Sequence, residues 1–366
     1  MSRLNGFLTG VRVLDLSRHL PGPLATLLLA DMGADILKIE PPTGDGLRTM
    51  GPPAAGGTSA WFQAVNAGKT SRRMDLKNER ERESFHELVR GADVLMESFR
   101  PGVMSRLGLG YEHLQPLNPR LVYCSLSGFG TGVPLESAAG HDINYLARAG
   151  ALHHGNGVAP SLNVQMADGA GGLFAVVAIL GALLGRAADG RGCYIDLALA
   201  DAVMPLQVLQ LAALGVTGAA PQPGAGLLNG GAACYRLYET ADGRHVSLGA
   251  LEPKFWRAFC AAAERTDWIQ RHSDVLPQTA LIDEVSAFFR RLAFAECESR
   301  FADADCCYAP VLDLKEAVES PRVQARGLLR RTPAGRFEAL FPALVDGEAP
   351  SPREAGRLAR MPITER

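Results

Sequence analysis

The stretch VRVLDLSRHLPGPLATLLLADMGADILKIEPP, Val11–Pro42, decides the fold. Its first seven residues, VRVLDLS (Val11–Ser17), are rich in valine and leucine and run into a polar loop, RHLPGP, so they predict a strand. LATLLLADMGA follows as an apolar helix. DILKIEPP (Asp35–Pro42) predicts a second strand, stopped by two prolines that cannot donate to a ladder. A strand, a crossover helix and a strand make a β-α-β unit with a parallel pair.

Outward from this unit the pattern recurs. ERERESFHELVRGA reads as a helix, DVLMESF (Asp93–Phe99) as a strand, and LVYCSLSGFG (Leu121–Gly130) as a strand entering a glycine loop. A long apolar helix is predicted after Asp168, then a strand at CYIDLAL (Cys193–Leu199) and a helix over ADAVMPLQVLQLAAL. This alternation implies an open α/β sheet covered on both faces. The composition breaks at GVTGAAPQPGAGLLNGGAA (Gly215–Ala233), a linker-like segment rich in Gly, Pro and Ala. Beyond it, YRLYETADGRHVSLGAL predicts a hairpin turning at Asp242-Gly243, followed by helices over PKFWRAFCAAAER and IDEVSAFFRRLAFAECESRFADA. The expected organisation is a large α/β domain over residues 1–214, to which a tail over 329–366 returns, and a linker plus smaller α+β domain over 215–328.

Bulk composition excludes several classes. The 366 residues carry a net charge of −2, with no basic run, so neither nucleic acid nor an anionic membrane is an expected partner. Seven cysteines without a C-x-x-C pair suit reduced thiols in the cytoplasm and suggest no metal site. The N-terminal MSRLNGFLTG lacks a signal-peptide core, and the apolar run Gly169–Gly185 is short for a membrane span, which favours a buried helix. No G-x-G-x-x-G follows the first strand, and the GKT of AVNAGKTS (Ala64–Ser71) lacks the upstream glycine of a P-loop.

Candidate chemistry begins at AAGHDINYLARAG (Ala138–Gly150), where a histidine, an aspartate, an asparagine and a tyrosine crowd five residues. The plainer reading makes Asp142 the N-cap of the helix INYLARAG, with His141 satisfied in the turn. Asp168 in QMADGAGGLFAVVAIL is open to the same reading, although a helix start also receives anions. Glu252 in LGALEPKFW can simply be an acid before Pro253 at a helix start. Lys38, Arg72, Arg73, Arg100 and Arg106 can all be solvated, but Lys38 ends a strand and Arg100 follows one, where an α/β sheet places ligand loops.

These segments stand together in one order. VRVLDLSRHLPGPLATLLLADMGADILKIEPP, NAGKTSRRMDLK, ADVLMESFRPGVMSRLGLGY, NPRLVYCSLSGFG, GHDINYLARAG, ADGAGG, GRGCYIDLALADAV, GGAACYRLYETADGRHVSLGALEPKFW and APVLDLKEA resemble the class III CoA-transferase family, and within it the α-methylacyl-CoA racemase branch. The resemblance implies a Rossmann-like open parallel-sheet domain and a smaller domain joined by long segments. It also implies two subunits threaded as an interlocked homodimer, with each active site shared between the chains. His141 and Asp168 would then meet Glu252 of a second copy.

The resemblance further implies acyl-CoA as substrate, with no separate cofactor required and coenzyme A bound as part of the substrate. CoA would lie against Lys38, Arg73, Ser98, Phe99, Arg100, Arg106 and Leu107, with Ser17 and Arg18 near the pantetheine and Tyr145 aimed at the CoA arm. Ser98 stands where the family commonly has Asn or Gly, Asn229 where it has Asp, and Arg18-His19 is an unusual pair in its loop. In the transferase branch the aspartate matching Asp168 is a nucleophile that forms an anhydride and then a thioester; in the racemase branch it is an acid/base. GHDINY and GALEP have the racemase form, so the expected reaction is inversion of a 2-methylacyl- or 2-arylacyl-CoA by 1,1-proton transfer through an enolate. His141 and Asp168 would act on opposite faces, Glu252 would orient His141, and backbone N–H groups near Asp142 or in Gly169–Gly172 would hold the enolate oxygen. A CoA-transferase carrying the histidine and a catalytically silent CoA-binding paralogue are the alternatives.

Overall fold

The computed structural model describes residues 2–54, 56–154, 157–158, 163–333 and 335–353. The chain divides into two compact units. Met1–Leu152, Pro160–Gln207 and Pro321–Arg366 form the first; His153–Ala159 and Val208–Ser320 form the second. Residues 354–366 of the returning tail lie outside the described residues.

The first unit holds one parallel sheet of six strands: β1 (Arg12–Leu16), β2 (Asp35–Glu40), β3 (Thr70–Arg73), β4 (Val94–Glu97), β5 (Val122–Ser127) and β6 (Tyr194–Ala198). Their spatial order is β3-β2-β1-β4-β5-β6. The direction of winding reverses between β1 and β4, so the loops leaving these strands diverge and open a crevice at their carboxyl ends.

Both faces of the sheet are covered. Val13, Ile36, Val94 and Met96 enter a core shared with α1 (Pro21–Asp31), while Leu14, Leu95 and Tyr123 enter a second core with Phe85 and Val89 of α2 (Glu79–Arg90). Strands buried on both sides have no polar face to present, which is why β4 and β5 are buried along their whole length. The strand β3 was not expected; its four residues, TSRR, are polar and form the sheet's edge.

Two further helices complete the region around the crevice: the short α3 (Asp142–Arg148) and the long α4 (Met166–Asp189). α4 runs 24 residues, longer than the apolar run suggested. By length and composition alone, it and the segment Leu199–Thr217 could cross a bilayer. α4 instead packs on α1, and its glycines permit the approach. A Cβ at Gly172 would stand 2.8 Å from the Pro21 carbonyl oxygen, and one at Gly171 would overlap the Leu199 side chain.

The division between units falls at 207/208 and 320/321 rather than at 214/215 and 328/329. Pro205 explains the first difference. It interrupts the helix expected over ADAVMPLQVLQLAAL, leaving a single turn at Leu199–Ala202 in the first unit and α5 (Val208–Thr217) in the second.

The second unit is built on an antiparallel sheet of β7 (Tyr235–Glu239), β8 (His245–Gly249) and β9 (Tyr308–Pro310), with β8 in the middle. Around it lie α6 (Pro253–Ala262), α7 (Thr279–Phe289) and α8 (Phe294–Phe301), enclosing Trp256, Phe259, Trp268, Phe289 and Phe301. The last two helices were expected as one; the chain leaves helix between Phe289 and Phe294.

Candidate active site

The loop after β1 rests on buried charge. Asp15, fully buried in the strand, accepts from the Ser17 N–H at 2.9 Å, from the Ser17 hydroxyl, from Thr26 at 2.6 Å and from the Lys69 ammonium at 3.0 Å. Burial alone would raise the Asp15 carboxyl, but Lys69, Lys38 and the two hydroxyl donors outweigh it and hold the group well below the usual carboxylate range. Burial also pulls the Lys69 ammonium down to about 8, against the opposing pull of Asp15. Lys38 donates to the Ser17 carbonyl at 2.8 Å and pairs with Asp45 at 3.0 Å. The strand end and the residues just beyond it are therefore fixed by charge-assisted bonds.

This arrangement corrects two expectations. Lys38 is 1% exposed, so its ammonium is a strut inside the fold rather than a phosphate ligand. Ser17 is equally buried, with its hydroxyl spent on Asp15. The GKT of the sequence likewise places Lys69 in the interior, where it also bonds Pro23, Thr26 and Asn66.

Above this base lies a cleft of about 410 Å³ whose walls include Arg18, His19, Phe99, His141, Asn144 and Asp168. The loop after β4 supplies one wall. Ser98 accepts the Arg18 N–H at 2.9 Å, and the Arg18 guanidinium lies 4.7 Å from the centre of the Phe99 ring. Arg100 lines the same cleft. Phe99 and Leu107 also border a second, more apolar cleft of about 300 Å³ with Ile39 and Met74. Arg73, Arg100 and Arg106 are exposed and make no ion pair among the described residues.

His141 occupies the N-cap position of α3 in extended conformation, and its N–H donates to Asn144 Oδ1 at 3.0 Å. Its ring faces the cleft, 6.1 Å from the ring of His19 and edge-to-face with it. Asp142 is the first residue of α3 and does not cap that helix. Its carboxylate reaches the start of α4 instead, where Oδ1 accepts the N–H groups of Ala167 at 2.7 Å and Asp168 at 3.0 Å. A side-chain oxygen on unpaired first-turn N–H groups is capping chemistry, delivered here from a neighbouring helix.

Asp168 is the third residue of α4, and its side chain accepts no hydrogen bond among the described residues. Burial, with the negative charge of Asp142 adding to it, pushes its carboxyl up to about 7. A carboxyl that changes charge near neutrality is suited to moving a proton in either direction.

Two other expectations change. Tyr145 is buried, donates its hydroxyl to the Gly140 carbonyl at 2.7 Å and packs edge-on against Phe129. It locks the turn that carries His141 rather than aiming at an acyl-CoA arm. The amides of Gly169–Gly172 lie inside α4, where Gly169 N–H already bonds the Gln165 carbonyl at 2.9 Å, so they are not free oxyanion donors. Asp142 N–H, at the start of α3, has no intrachain acceptor among the described residues.

Glu252 belongs to the second unit. It stands exposed at the N-cap of α6, directly before Pro253, without a side-chain capping bond. Burial first, and then its negative charge, raise the nearby Cys307 thiol. Sequence reasoning passed over Asp15, Lys69 and the position of His19. The signal for Asp15 was a charge inside an otherwise continuous apolar run; for Lys69 nothing local distinguishes it from a surface lysine.

The model of CoA-transferase family III matches residues 8–353, and the chain belongs to that family. Among curated relatives, the alpha-methylacyl-CoA racemase of Mus musculus is 34% identical over 97% of this chain and 87% of its own length. The succinyl-CoA:glutarate CoA-transferase of the same species is 33% identical over 88% and 76%, and the acetyl-CoA:oxalate CoA-transferase of Acetobacter aceti 35% over 87% and 84%. Overall identity thus does not separate racemase from transferase. A CAIB/BAIF family protein from Brucella suis superposes with a TM-score of 0.83 at 28% identity, covering 95% of both chains.

Proposed function

We propose that the protein racemises 2-methylacyl- or 2-arylacyl-CoA thioesters. The observation that carries the reading is the pairing, in one cleft, of the His141 imidazole with an Asp168 carboxyl that has no donor among the described residues and titrates near neutrality. In one direction His141 takes the α-proton, and the C–H electron pair moves into the new carbon–carbon π bond as the thioester oxygen becomes an enolate. Asp168 then delivers its proton to the opposite face. The reverse reaction exchanges the roles. Positioned proton transfer contributes about 10²–10⁴-fold. The enolate needs further stabilisation, and the Asp142 N–H at the start of α3 is our assigned donor, a group whose loss elsewhere costs roughly 10²–10³-fold.

A nucleophilic Asp168, as a CoA-transferase requires, would have to be ionised before attack. Burial and the Asp142 charge oppose that state, whereas an acid/base cycle also uses the protonated form that they favour. Arg73, Arg100 and Arg106, free of acidic partners among the described residues, suit the CoA phosphates, and the apolar cleft beside Phe99 and Leu107 suits its adenine. The proposed assembly is the interlocked homodimer. Exposed apolar side chains on α4 (Leu184, 77% exposed) and α5 (Val216, 89% exposed) support a second copy covering these faces. In that assembly Glu252 of the second copy would accept from His141 and fix its tautomer; unchanged turnover in Glu252→Gln would remove that role.

The test is proton NMR of a 2-methylacyl-CoA in D₂O with no second carboxylic acid. Loss of the α-proton signal, abolished by combining His141→Ala with Asp168→Ala, is the expected result. No exchange, with CoA transfer appearing once a free acid is added, would assign the protein to the transferase branch.

A further inference from the structure

His19 is the residue of the cleft that neither the fold nor the proposed chemistry has used. Its backbone is left-handed, with φ at 62°, a conformation non-glycine residues adopt rarely. Fixed bonds hold it there from both sides. Lys38 binds the Ser17 carbonyl at 2.8 Å, Ser98 accepts the Arg18 N–H at 2.9 Å, and the Leu20 carbonyl accepts from Leu24 N–H at 2.9 Å as α1 begins. The backbone cannot turn without breaking one of these. Its side chain is therefore delivered to the cleft wall, where its ring meets the His141 ring edge-to-face, with interplanar angle 87° and centroids 6.1 Å apart. Backbone strain that the surroundings over-determine, and that ends on a reacting group, is the pattern of a functional constraint.

We propose that His19 is a positioning residue for His141, its ring fixing the plane in which the His141 imidazole meets the α-proton. The inference rests on the racemase reading. The charged and titratable groups acting on His19 are Asp45, His141, Arg18 and Lys38. Burial lowers its pKa, Asp45 opposes this, and His141, Arg18 and Lys38 add to the lowering. The ring is thus an uncharged packing partner at neutral pH. The bonds that hold His141 at the N-cap of α3 are backbone ones, its N–H donating to Asn144 and its carbonyl accepting from the Asn144 and Tyr145 N–H groups, and the ring that packs beside its imidazole is that of His19.

A two-sided acid/base site gives this idea a distinctive readout. His141 serves the α-proton of one enantiomer and Asp168 that of the other. A residue that positions only His141 therefore affects the two unequally, whereas general loosening of the fold slows both. The experiment follows first-turnover α-proton loss into D₂O from each pure enantiomer of a 2-methylacyl-CoA, using the full-length protein, His19→Gly and His19→Phe. Glycine keeps the left-handed backbone, and phenylalanine keeps an aromatic ring without a proton to exchange. Misplacement of a reacting group by about 1 Å costs up to about 10²-fold, so His19→Gly is expected to slow one enantiomer by roughly tenfold. The other should stay within about twofold, and His19→Phe should recover most of the lost rate. Equal slowing of both enantiomers, or no slowing, in a wild-type background that exchanges both, overturns the positioning role alone. Absence of exchange in the wild type overturns the racemase reading and this inference with it.

Discussion

Replacing Asp168 by Asn removes an ionisable group that the fold keeps half-buried beside another carboxylate, with no hydrogen-bond donor to its side chain among the described residues. The native carboxyl is raised from 3.8 to about 7. Between those values the folded state holds more protons at this site than the unfolded chain, so stability falls as pH rises through that window and is level above it. Each decade of shift corresponds to about 1.4 kcal/mol, so the full cost of ionising Asp168 in the fold approaches roughly 4 kcal/mol above neutral pH. Asparagine has nearly the same shape and carries no charge, so the Asp168→Asn protein should be inactive and yet more stable. Its advantage should grow with pH, by roughly 2 kcal/mol between pH 5.5 and pH 8. Urea unfolding followed by circular dichroism at those two pH values measures the difference. A variant less stable than wild type by the same amount at both values would refute the reasoning, because it would show that Asp168 stabilises the fold through contacts and not that the fold tolerates it for chemistry.

Three more outcomes follow from the same geometry. Because the two enantiomers are equal in energy, kcat/KM should follow one and the same pH profile in both directions, with a limb near 7 set by Asp168. Asp142→Ala removes both N–H contacts to α4 and should cost about 1–2 kcal/mol of stability. It should also move the Asp168 limb to lower pH, because a like charge is gone. Lys69→Met leaves Asp15 buried without its ammonium and should destabilise by about 3–5 kcal/mol, read as a lowered denaturation midpoint at unchanged substrate affinity per folded molecule.

The parallel sheet was legible because its strands are buried on both faces and so appear as mostly apolar runs; Val94–Glu97 and Val122–Ser127 are examples. Edge strand β3 was not legible, since TSRR contains no apolar residue to set a pattern. The helix break at Pro205 is marked by the proline itself, whereas Arg290–Ala293 contains no Pro or Gly to mark the one between Phe289 and Phe294. At the site, His141 and Asp168 were legible as residue types in a recognisable order, and the structure brings both to one cleft. The partners of Asp142 and Tyr145 were not. Asp142 looks like a local cap, but its acceptor atoms serve a helix 25 and 26 residues further along the chain. Tyr145 looks exposed in a polar cluster, yet its hydroxyl closes the turn on Gly140. Lys38 shows the same limit, because a lysine at a strand end reads as surface until Asp45 and the Ser17 carbonyl are seen around it.

The central claim is that Asp168 carries a proton and not an acyl group. The direct measurement is mass spectrometry of the peptide containing Asp168 after turnover on an acyl-CoA in the presence of hydroxylamine, which converts an aspartyl anhydride or thioester to a hydroxamate. The account predicts an unmodified Asp168 and inversion that continues at its usual rate. A hydroxamate at Asp168, accompanied by loss of activity, would contradict it and make the carboxylate a nucleophile.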